Sequence, residues 1–565
     1  MSFLDSCVSV TSERQDSTQL PTIPSSSGPQ VADVVQPRSQ AFPHRRYDKL
    51  GLPPEILIWI LDCLDVRSLV QVSRVCRQWH ALVNNDSALN YKVELSLSCL
   101  SIEPPEELST KERLQAVREH EVAMRDLSLV DAGSAILLDP QAYIQASGNI
   151  VGQRKNQDPE VVLKRFPSRR LGVKAPRQWS LPLGRKCQSW DIDYKQDLLV
   201  EVEQLQAEGK KFVRLYLRSL SSGSVHPLAS RPFLEWDFNW FAGSEYTMTV
   251  LDDQLVVYCY GESPNAAVVW AWHSGTKRFE LQCDHVYSGS FLDANHLLVG
   301  FGPHRCGFEH IGTLAVYDLR MNEPDRQHCA NKTYQHSFEL GLGVQPRYWY
   351  PFLRIEPYPC TPSQPNGFSD NLVVVVILNN VTSEWKTLIF PVSLLRQHMQ
   401  TSTNPGTSHS ASELSYMKRP PKDHSWSEWA ESRVHLVPFM PINRMDPART
   451  ASMRFADLVD DTHTDKTNLI LCDFHRPRVE RATCRPSTAG APVHSRSISM
   501  SPDYWTSEIN TDLPYFLTTH DLPEALQGEI SRNTHKVMLT EDLIIIYTKE
   551  SHSSGPNGKQ VLFLP

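Results

Sequence analysis

Residues 52–95 read LPPEILIWILDCLDVRSLVQVSRVCRQWHALVNNDSALNYKVEL and have the clearest helical pattern in the chain. Pro53 and Pro54 fit the first turn of a helix, where a missing N–H costs little. The apolar residues after them recur at helical spacing and form one stripe, made of Ile56, Leu57, Ile60, Leu61 and Leu64. Asp65 is a candidate N-cap for a second helix, and a third short helical turn ends at the polar run 84–87. The stretch therefore predicts three short helices.

The apolar arc of the first helix is wide. Ile58 and Trp59 lie off the stripe and lengthen it, whereas three short helices form a unit that is only marginally stable by itself. Such an arc needs a second surface to cover it. From the residues alone two covers remain open, a partner protein or the following domain of the same chain packing on Trp59.

The same stretch resembles an F-box, the small helical module that docks on a Skp-family adaptor of cullin-based ubiquitin ligases. The matching features are the Leu52-Pro53 entry, Glu55, the apolar stripe, Asp65, Leu69, Val75-Cys76-Arg77 and Trp79. The chain departs from the F-box pattern at Leu89-Asn90-Tyr91, where Leu-Trp is expected. With an F-box before a long β-rich domain, it resembles the F-box domain-containing proteins of mushroom-forming fungi.

The resemblance implies a docking surface for a Skp-family adaptor, formed by Leu52, Pro53, Ile56, Leu57, Val75, Cys76 and Trp79. It implies a non-catalytic subunit of an SCF-type ubiquitin ligase, held on a cullin scaffold and presenting an unknown protein substrate from its β-rich part. One alternative is a β-propeller scaffold or regulatory protein whose F-box acts outside ubiquitin transfer. Another is a hydrolase in the β domain, which would need a pocket of convergent His, Asp or Glu.

The composition is that of a globular protein with more than one domain. At 565 residues and 64.2 kDa, the chain is about twice what one hydrophobic core supports. Its 56 basic and 64 acidic residues give a net charge of −8, which argues against a nucleic-acid partner. No apolar run approaches the ~20 residues that cross a bilayer, so we expect no membrane segment. Twelve scattered cysteines without a C-x-x-C pair indicate reduced thiols, in the cytoplasm, the nucleus or both.

Changes in composition divide the chain into five segments. The predicted segments are a disordered tail at 1–46, the F-box at 47–95, a connecting helix at 96–130, a linker at 131–175 and a β-rich substrate-recognition domain at 176–565 with insertions near 400–430 and 475–500. The tail is rich in Ser, Thr, Gln and Pro, which supply too little apolar surface to order it. The connecting helix begins with a capping box formed by Ser109 and Glu112.

The β-rich region contains six units in which a hydrophobic strand precedes a second strand and a turn. The units begin near residues 190, 252, 297, 372, 453 and 543. One small sheet cannot bury both of its faces, but several sheets stacked around an axis can. The predicted fold class is therefore α+β multidomain, a small three-helix F-box followed by an all-β domain that is best interpreted as an irregular β-propeller. A β-sandwich remains the alternative because no WD or kelch signature is present.

Four patterns are compatible with chemistry, and each has a plainer interpretation. The segment 304–310 holds two His and one Cys, which would need a further ligand such as His328 to bind zinc. The sequence at 283–285, Cys-Asp-His, combines a nucleophile with a base, but neighbours in a strand point to opposite faces. The acidic run 460–465 lacks the Gly and closing Glu of an EF-hand. The basic stretch 154–186 is a nuclear import signal, a contact for an acidic partner or an exposed linker. We predict no catalytic residue, cofactor or metal.

Overall fold

The computed structural model has a helical N-terminal part followed by an all-β domain. It describes residues 52–100, 107–127, 130–131, 142–155, 158–183, 187–240, 244–261, 265–283, 286–301, 312–320, 327–328, 334–340, 349–350, 370–379, 384–401, 422–430, 433–437, 450–451, 453–461, 466–484, 490–493, 496–498, 509–511, 513–522, 535–548 and 560–564. The predicted tail at 1–46 and the possible zinc ligands at 304–310 lie outside the described residues.

Among the described residues, five helices precede the β domain and three lie inside it. They are α1 (Pro54–Asp62), α2 (Val66–Ser73), α3 (Arg77–Asn85), α4 (Ser87–Ser98), α5 (Thr110–Arg125), α6 (Val392–Thr401), α7 (Trp426–Trp429) and α8 (Arg476–Cys484). The predicted N-cap is confirmed, because the Asp65 side chain accepts a 2.9 Å hydrogen bond from the Ser68 N–H at the start of α2. The predicted capping box of Ser109 and Glu112 is also confirmed at α5.

A fourth helix, α4, follows the three predicted ones. The carboxylate of Asp86 accepts hydrogen bonds from the N–H groups of Ala88 and Leu89, at 2.9 and 3.0 Å. The polar run 84–87, expected to end helical structure, therefore separates two consecutive helices, because Asp86 caps the second one.

The strands, in chain order, begin with β1 (Val130–Asp131), β2 (Tyr143–Ser147), β3 (Ile150–Arg154), β4 (Glu160–Arg165), β5 (Arg177–Pro182), β6 (Ser189–Asp193), β7 (Leu198–Ala207), β8 (Lys210–Ser219), β9 (Phe233–Trp236), β10 (Glu245–Leu251), β11 (Gln254–Tyr260), β12 (Ala266–Ala271), β13 (Thr276–Gln282), β14 (Val286–Asp293), β15 (His296–Phe301) and β16 (Thr313–Asp318). They continue with β17 (Gln327–His328), β18 (His336–Glu339), β19 (Trp349–Tyr350), β20 (Leu372–Asn379), β21 (Glu384–Pro391), β22 (Lys422–His424), β23 (His435–Val437), β24 (Thr450–Ala451), β25 (Arg454–Asp461), β26 (Lys466–Asp473), β27 (Gly490–Val493), β28 (Arg496–Ile498), β29 (Ile509–Thr511), β30 (Tyr515–Asp521), β31 (His535–Leu539), β32 (Ile544–Thr548) and β33 (Gln560–Leu564).

Within the described residues these strands form seven sheets of four or five strands, which we call blades, and one two-stranded ribbon of β28 and β29. The blades are blade 1 (β2–β5), blade 2 (β6–β9), blade 3 (β10–β13 with β17), blade 4 (β14–β16 with β18 and β22), blade 5 (β19–β21 with β23), blade 6 (β24–β26 with β30 and β27) and blade 7 (β31–β33 with β1). Consecutive strands pair antiparallel, whereas β17 and β22 add to the edges of blades 3 and 4 in parallel.

The blades form a β-propeller, as predicted, and its ring is closed. An apolar cluster lies between each blade and the next, from blade 1 through blade 6 to blade 7, and a last cluster joins blade 7 to blade 1. The two ends of the β domain also meet in one sheet, because β1 from the N-terminal side pairs with the C-terminal strand β33 in blade 7, with Val130 opposite Leu564. A two-layer sandwich would not give this cyclic order of contacts, so that alternative is excluded.

The prediction that residues 131–175 form a linker is wrong. Most of it forms blade 1, whose strands β2 to β4 cover Tyr143 to Arg165 and pair in register with β5. Blade 1 is the sheet missing from the six units found in the sequence. Its strands are short and carry many basic residues, so their apolar positions do not stand out, although Val151, Val161 and Leu163 are fully buried.

Candidate functional site

The interior of the N-terminal helices is a small apolar core. It is formed by Leu61 of α1, Leu69 of α2, Val83 of α3 and Leu89 of α4, each no more than 5 % exposed. Ile58, Leu64 and Trp79 pack against this core and are only partly buried. The core is small because each helix contributes one or two side chains to it, which leaves much of the apolar surface of α1 without an internal partner.

The outer side of the same helices is apolar and open to solvent. Five large hydrophobic side chains are exposed there: Leu52 at 43 %, Ile56 at 38 %, Trp59 at 72 %, Ile60 at 47 % and Val75 at 73 %. We call these five residues the apolar face. Within the described residues the β domain does not cover Trp59, so of the two covers left open by the sequence the following domain is excluded and a partner protein remains. An exposed group of this kind is typical of a protein-interaction surface.

The seven residues predicted to contact the adaptor lie in three environments. Leu52, Pro53, Ile56, Val75 and Cys76 are exposed. Trp79 is partly buried against the module core, and Leu57 is 4 % exposed. In this arrangement a partner would reach the first five directly, whereas Leu57 acts from inside the bundle.

Two members of the apolar face are absent from the predicted contact set. Ile60 lies on the predicted helical stripe and Trp59 lies off it, and neither is among the seven residues of the predicted docking surface. The signal for both residues is the width of the apolar arc, because an arc wider than one internal core requires leaves its outermost members exposed.

Helix α5 fixes the helical module to the propeller. Met124 and the following Leu127 are 0 % and 1 % exposed and pack in the cluster between blades 6 and 7. The Thr518 hydroxyl in blade 6 donates a 2.9 Å hydrogen bond to the Arg125 carbonyl oxygen. The Arg478 guanidinium of α8 donates to the Ser98 carbonyl oxygen at 2.9 Å, which ties the end of α4 to the same blade.

Buried ion pairs reinforce this contact. Arg454 of blade 6 is 3 % exposed and donates to the Glu121 carboxylate of α5 at 2.6 Å. Arg478 lies 3.7 Å from the same Glu121 carboxylate and, within the β domain, donates to the Asp473 carboxylate at 3.0 Å. Burial opposes ionisation of Asp473, but the positive charges of Arg478 and Arg454 outweigh it and hold the pKa of Asp473 below its usual value. The module is therefore held by charged groups that are costly to separate, not by a flexible tether.

A second charged cluster lies where blade 7 meets blade 1. Arg170 is 1 % exposed and donates from its Nε to the Asp542 carboxylate at 3.0 Å, and its guanidinium lies 3.5 Å from Glu541. His120 of α5 is buried beside this cluster. Burial and, after it, the positive charge of Arg170 lower the pKa of His120 to about 3, so the imidazole is neutral at pH 7.

The described residues give little support to catalysis. They contain no group of three or more His, Cys, Asp or Glu side chains arranged to hold a metal ion. Cys283 is disulfide-bonded, so it cannot act as a nucleophile, and the expectation that all thiols are reduced is wrong at this position. Three histidines do meet in blade 4, where His336 and His424 lie 3.1 Å apart and His398 is near them. Burial first, and neighbouring charge second, lowers the pKa of His336 and of His424 to about 4, as expected for neutral side chains packed in a core.

The basic stretch 154–186 does not form one exposed linker. Arg154 donates a hydrogen bond to the Cys187 carbonyl oxygen, and Arg170 donates to the Asp542 carboxylate. Arg169 and Lys174, by contrast, are exposed in the β4–β5 loop. Part of its positive charge therefore serves the structure of blade 1 and its contact with blade 7.

Residues 50–95 match the family model described as F-box-like, which makes the helical module an F-box-like domain. F-box domains are non-catalytic and generally bind Skp-family adaptors. No curated protein matches the chain. The resemblance to proteins of mushroom-forming fungi stays a prediction. Within the described residues, no helix combines the length and apolar character needed to cross a membrane.

Some solved structures are similar to the chain at low sequence identity and low TM-score. They include Hsv2p of Kluyveromyces lactis, at 10 % identity and a TM-score of 0.23, covering 44 % of this chain and 68 % of that one. Semaphorin 1b of Drosophila, extracellular domains 1-2, is 9 % identical with a TM-score of 0.33, covering 76 % of this chain and 86 % of that one. Apo AztD of Citrobacter koseri is 10 % identical with a TM-score of 0.24, covering 67 % and 89 %. At these values the similarity carries no conclusion about function.

Proposed function

We propose that the protein is a substrate-recognition adaptor of an SCF-type cullin ubiquitin ligase. The observation that carries the proposal is the apolar face, where Trp59 and Val75 are more than 70 % exposed on an F-box-like domain. Burying such side chains against a partner stabilises a complex by roughly 25 cal/mol per Å² of apolar surface. A Skp-family adaptor is the expected partner, and the cullin scaffold joins through it.

The rigid contact between α5 and the propeller gives this adaptor its mechanism. A ligase subunit without catalytic residues works by holding its substrate beside the charged conjugating enzyme, which raises the effective concentration of the reacting groups. The gain depends on geometry. The ion pair of Glu121 with Arg454 and the hydrogen bond from Arg478 to the Ser98 carbonyl oxygen keep the propeller in one orientation relative to the F-box-like domain. The site of action is then the cytoplasm, the nucleus or both.

Co-purification with a Skp-family adaptor tests the proposal. Ile56→Asp and Val75→Asp each place a charge on the apolar face, and because a buried unpaired charge is costly, each variant should lose the adaptor. Val122→Asp is the matched control, since Val122 is an apolar side chain of α5 that is 46 % exposed away from the face. Leu57 is unsuitable for this purpose because it is buried, and its truncation would weaken the fold itself.

Equal adaptor recovery with all three variants and the unmodified protein would remove the basis of the proposal. The competing function is a β-propeller scaffold or regulator whose F-box acts outside ubiquitin transfer. Deleting residues 47–95 separates the two, because the substrate of a ligase adaptor should accumulate after the deletion, whereas the turnover of proteins bound to a scaffold should not change.

A further inference from the structure

A loop of blade 2 is folded tightly against blade 3. It joins β8 to β9, and its His226 is 3 % exposed, with Nε2 2.8 Å from the Gln196 carbonyl oxygen. Further along, the Ser230 N–H donates a 2.9 Å hydrogen bond to the His273 carbonyl oxygen in the β12–β13 turn. The loop is therefore a fixed part of the surface where blades 2 and 3 meet.

This loop exposes apolar side chains although it is fixed. Val225 is 53 % exposed and Leu228 is 58 % exposed. Together with the apolar face of the helical module they make up most of the large hydrophobic side chains exposed in the described part of the chain. Because the backbone around them is hydrogen-bonded to both blades, a partner that covered them would not have to order the loop first.

A cavity of about 370 Å³ opens beside the same loop. Its wall includes Arg231, Phe233 and Trp270. The Arg214 guanidinium stacks 4.2 Å from the centre of the Phe233 ring, which holds that ring in place. Gly275, also in the wall, has a φ of +70°, and a Cβ there would lie 3.2 Å from the Arg231 Cδ, so the glycine leaves room for the arginine. The volume is in the range that holds a single bulky side chain or a small ligand.

Arg231 differs from the other charged groups around the cavity. Glu235 pairs with Arg214 at 2.8 Å, and the neighbouring Lys277 and Arg278 pair with Glu280 and Asp253. Arg231 is exposed and has no hydrogen bond or ion pair with any described residue. The cavity therefore combines an aromatic wall with one unneutralised guanidinium, which favours a ligand that carries an apolar group next to an anion.

We propose that this cavity and the adjoining Val225 and Leu228 bind a short extended segment of a partner protein, with a bulky apolar residue in the cavity and an Asp or Glu side chain on Arg231. A carboxylate is favoured over a phosphate because a single unpaired arginine matches one negative charge. The assignment of the bound segment to a substrate of the ligase rests on the proposed function.

Peptide selection on the full-length protein tests this site. A displayed library of random short peptides should be enriched in sequences that place an aromatic or branched aliphatic residue within a few positions of Asp or Glu. A peptide from this set should bind Arg231→Glu and Leu228→Asp at least about tenfold more weakly, since each loses a charge-assisted bond or an apolar contact. Lys174→Glu is the matched control, because it makes the same charge change at an exposed basic residue of the corresponding loop in blade 1 and should bind as the unmodified protein does.

Enriched peptides without an acidic residue, or equal binding to Arg231→Glu and to the control, would overturn the proposal. So would a requirement for phosphoserine at the acidic position of the resynthesised peptide. Unchanged thermal unfolding of the variants shows that the effect is local. Peptide binding is measured without the Skp-family adaptor, so a negative peptide result does not bear on adaptor binding. Likewise, a negative result in the adaptor test does not bear on the peptide site.

Discussion

The propeller buries its apolar side chains between blades, whereas the helical module leaves several of its own exposed to solvent. In the propeller, each blade has a neighbour on both faces, and strand residues such as Leu199, Val257 and Leu298 are fully buried. In the module, α1 buries one side only. Of the nine large hydrophobic side chains exposed among the described residues, five lie within 52–75 and two within 225–228. Exposure is therefore concentrated at two places and is not a general property of the surface.

The difference follows from size. In a ring of blades each sheet has a neighbouring sheet on both faces, so its apolar side chains are buried between blades. A domain of about 45 residues has too few side chains to cover a helix on all sides, so some of its apolar side chains stay exposed to solvent. The apolar face is thus stable in position because α5 holds the domain, while remaining available because nothing in the described chain packs on it.

The largest expected effect is on the closure of the ring. Arg170→Met removes the guanidinium that pairs with Asp542 and Glu541, leaves both buried carboxylates without this counter-charge, and should lower the free energy of unfolding by about 3–5 kcal/mol. Urea denaturation measures the loss. Arg169→Met is the control, since its side chain is 88 % exposed and the change should stay within about 0.5 kcal/mol. Similar losses in both variants would show that the pair at Arg170 does not hold blades 7 and 1 together.

The second prediction compares two neighbours on α1. Leu61→Ala empties a site that is 1 % exposed and should cost about 2–5 kcal/mol. Ile60→Ala truncates a side chain that is 47 % exposed and should change stability by about 0.5 kcal/mol or less while weakening adaptor binding. Denaturation and adaptor titration are measured on both variants. Equal losses of stability would contradict the assignment of Leu61 to the interior and of Ile60 to the surface.

The third prediction concerns pH. The folded-state pKa of His120 is about 3, below its value near 6.5 in the unfolded chain, so the unfolded state binds the extra proton. Stability from the neutral histidine is complete above pH 6.5 and falls as the pH drops, by about 2 kcal/mol at pH 5. The groups that act on its charge are Arg170, Asp542, Arg454 and Arg478.

Denaturation at pH 5 and pH 7.5 tests this assignment. His120→Asn removes the titrating group and should reduce the loss of stability between these two pH values by about that amount. His80→Asn, at an exposed position of α3, is the matched control for the same substitution at a solvent-facing histidine. An unchanged pH dependence in the His120 variant would mean that this histidine is not held neutral.

The smallest effect is expected at a helix start. Asp86→Ala removes the carboxylate that accepts from Ala88 and Leu89, and should cost about 1 kcal/mol. Gln78→Ala, at an exposed site of α3, should be nearly neutral. Thermal unfolding of the two variants gives the difference, and its absence would show that α4 is held by packing alone.

Much of the architecture could be predicted from the sequence because strands such as β12 and β20 have continuous apolar runs. Blade 1 could not, since its basic residues hide short strands that become recognisable only when paired. The parallel additions of β17 and β22 arise from pairing between distant segments, which no local pattern encodes.

The candidate site was predictable as a stretch but not residue by residue. Leu57 and Ile60 lie on one apolar stripe, yet Leu57 is buried and Ile60 is exposed. Which edge of the stripe faces inwards depends on how α2, α3 and α4 pack on α1, and α4 itself was outside the prediction. The periodicity of one helix gives the width of its apolar arc but not its rotation.

Because β1 pairs with β33, the ring of the propeller can close only after the C-terminal strand has been synthesised on the ribosome. Residues 52–98, which form the helical module, leave the exit tunnel long before residues 560–564 are made. For that interval the nascent chain has a docking module without a closed ring. A product truncated before Gln560 would keep the apolar face and lack the last strand of blade 7. Under the proposed function, such a fragment would still present the docking surface for an adaptor, but on a propeller whose ring is not closed by β33.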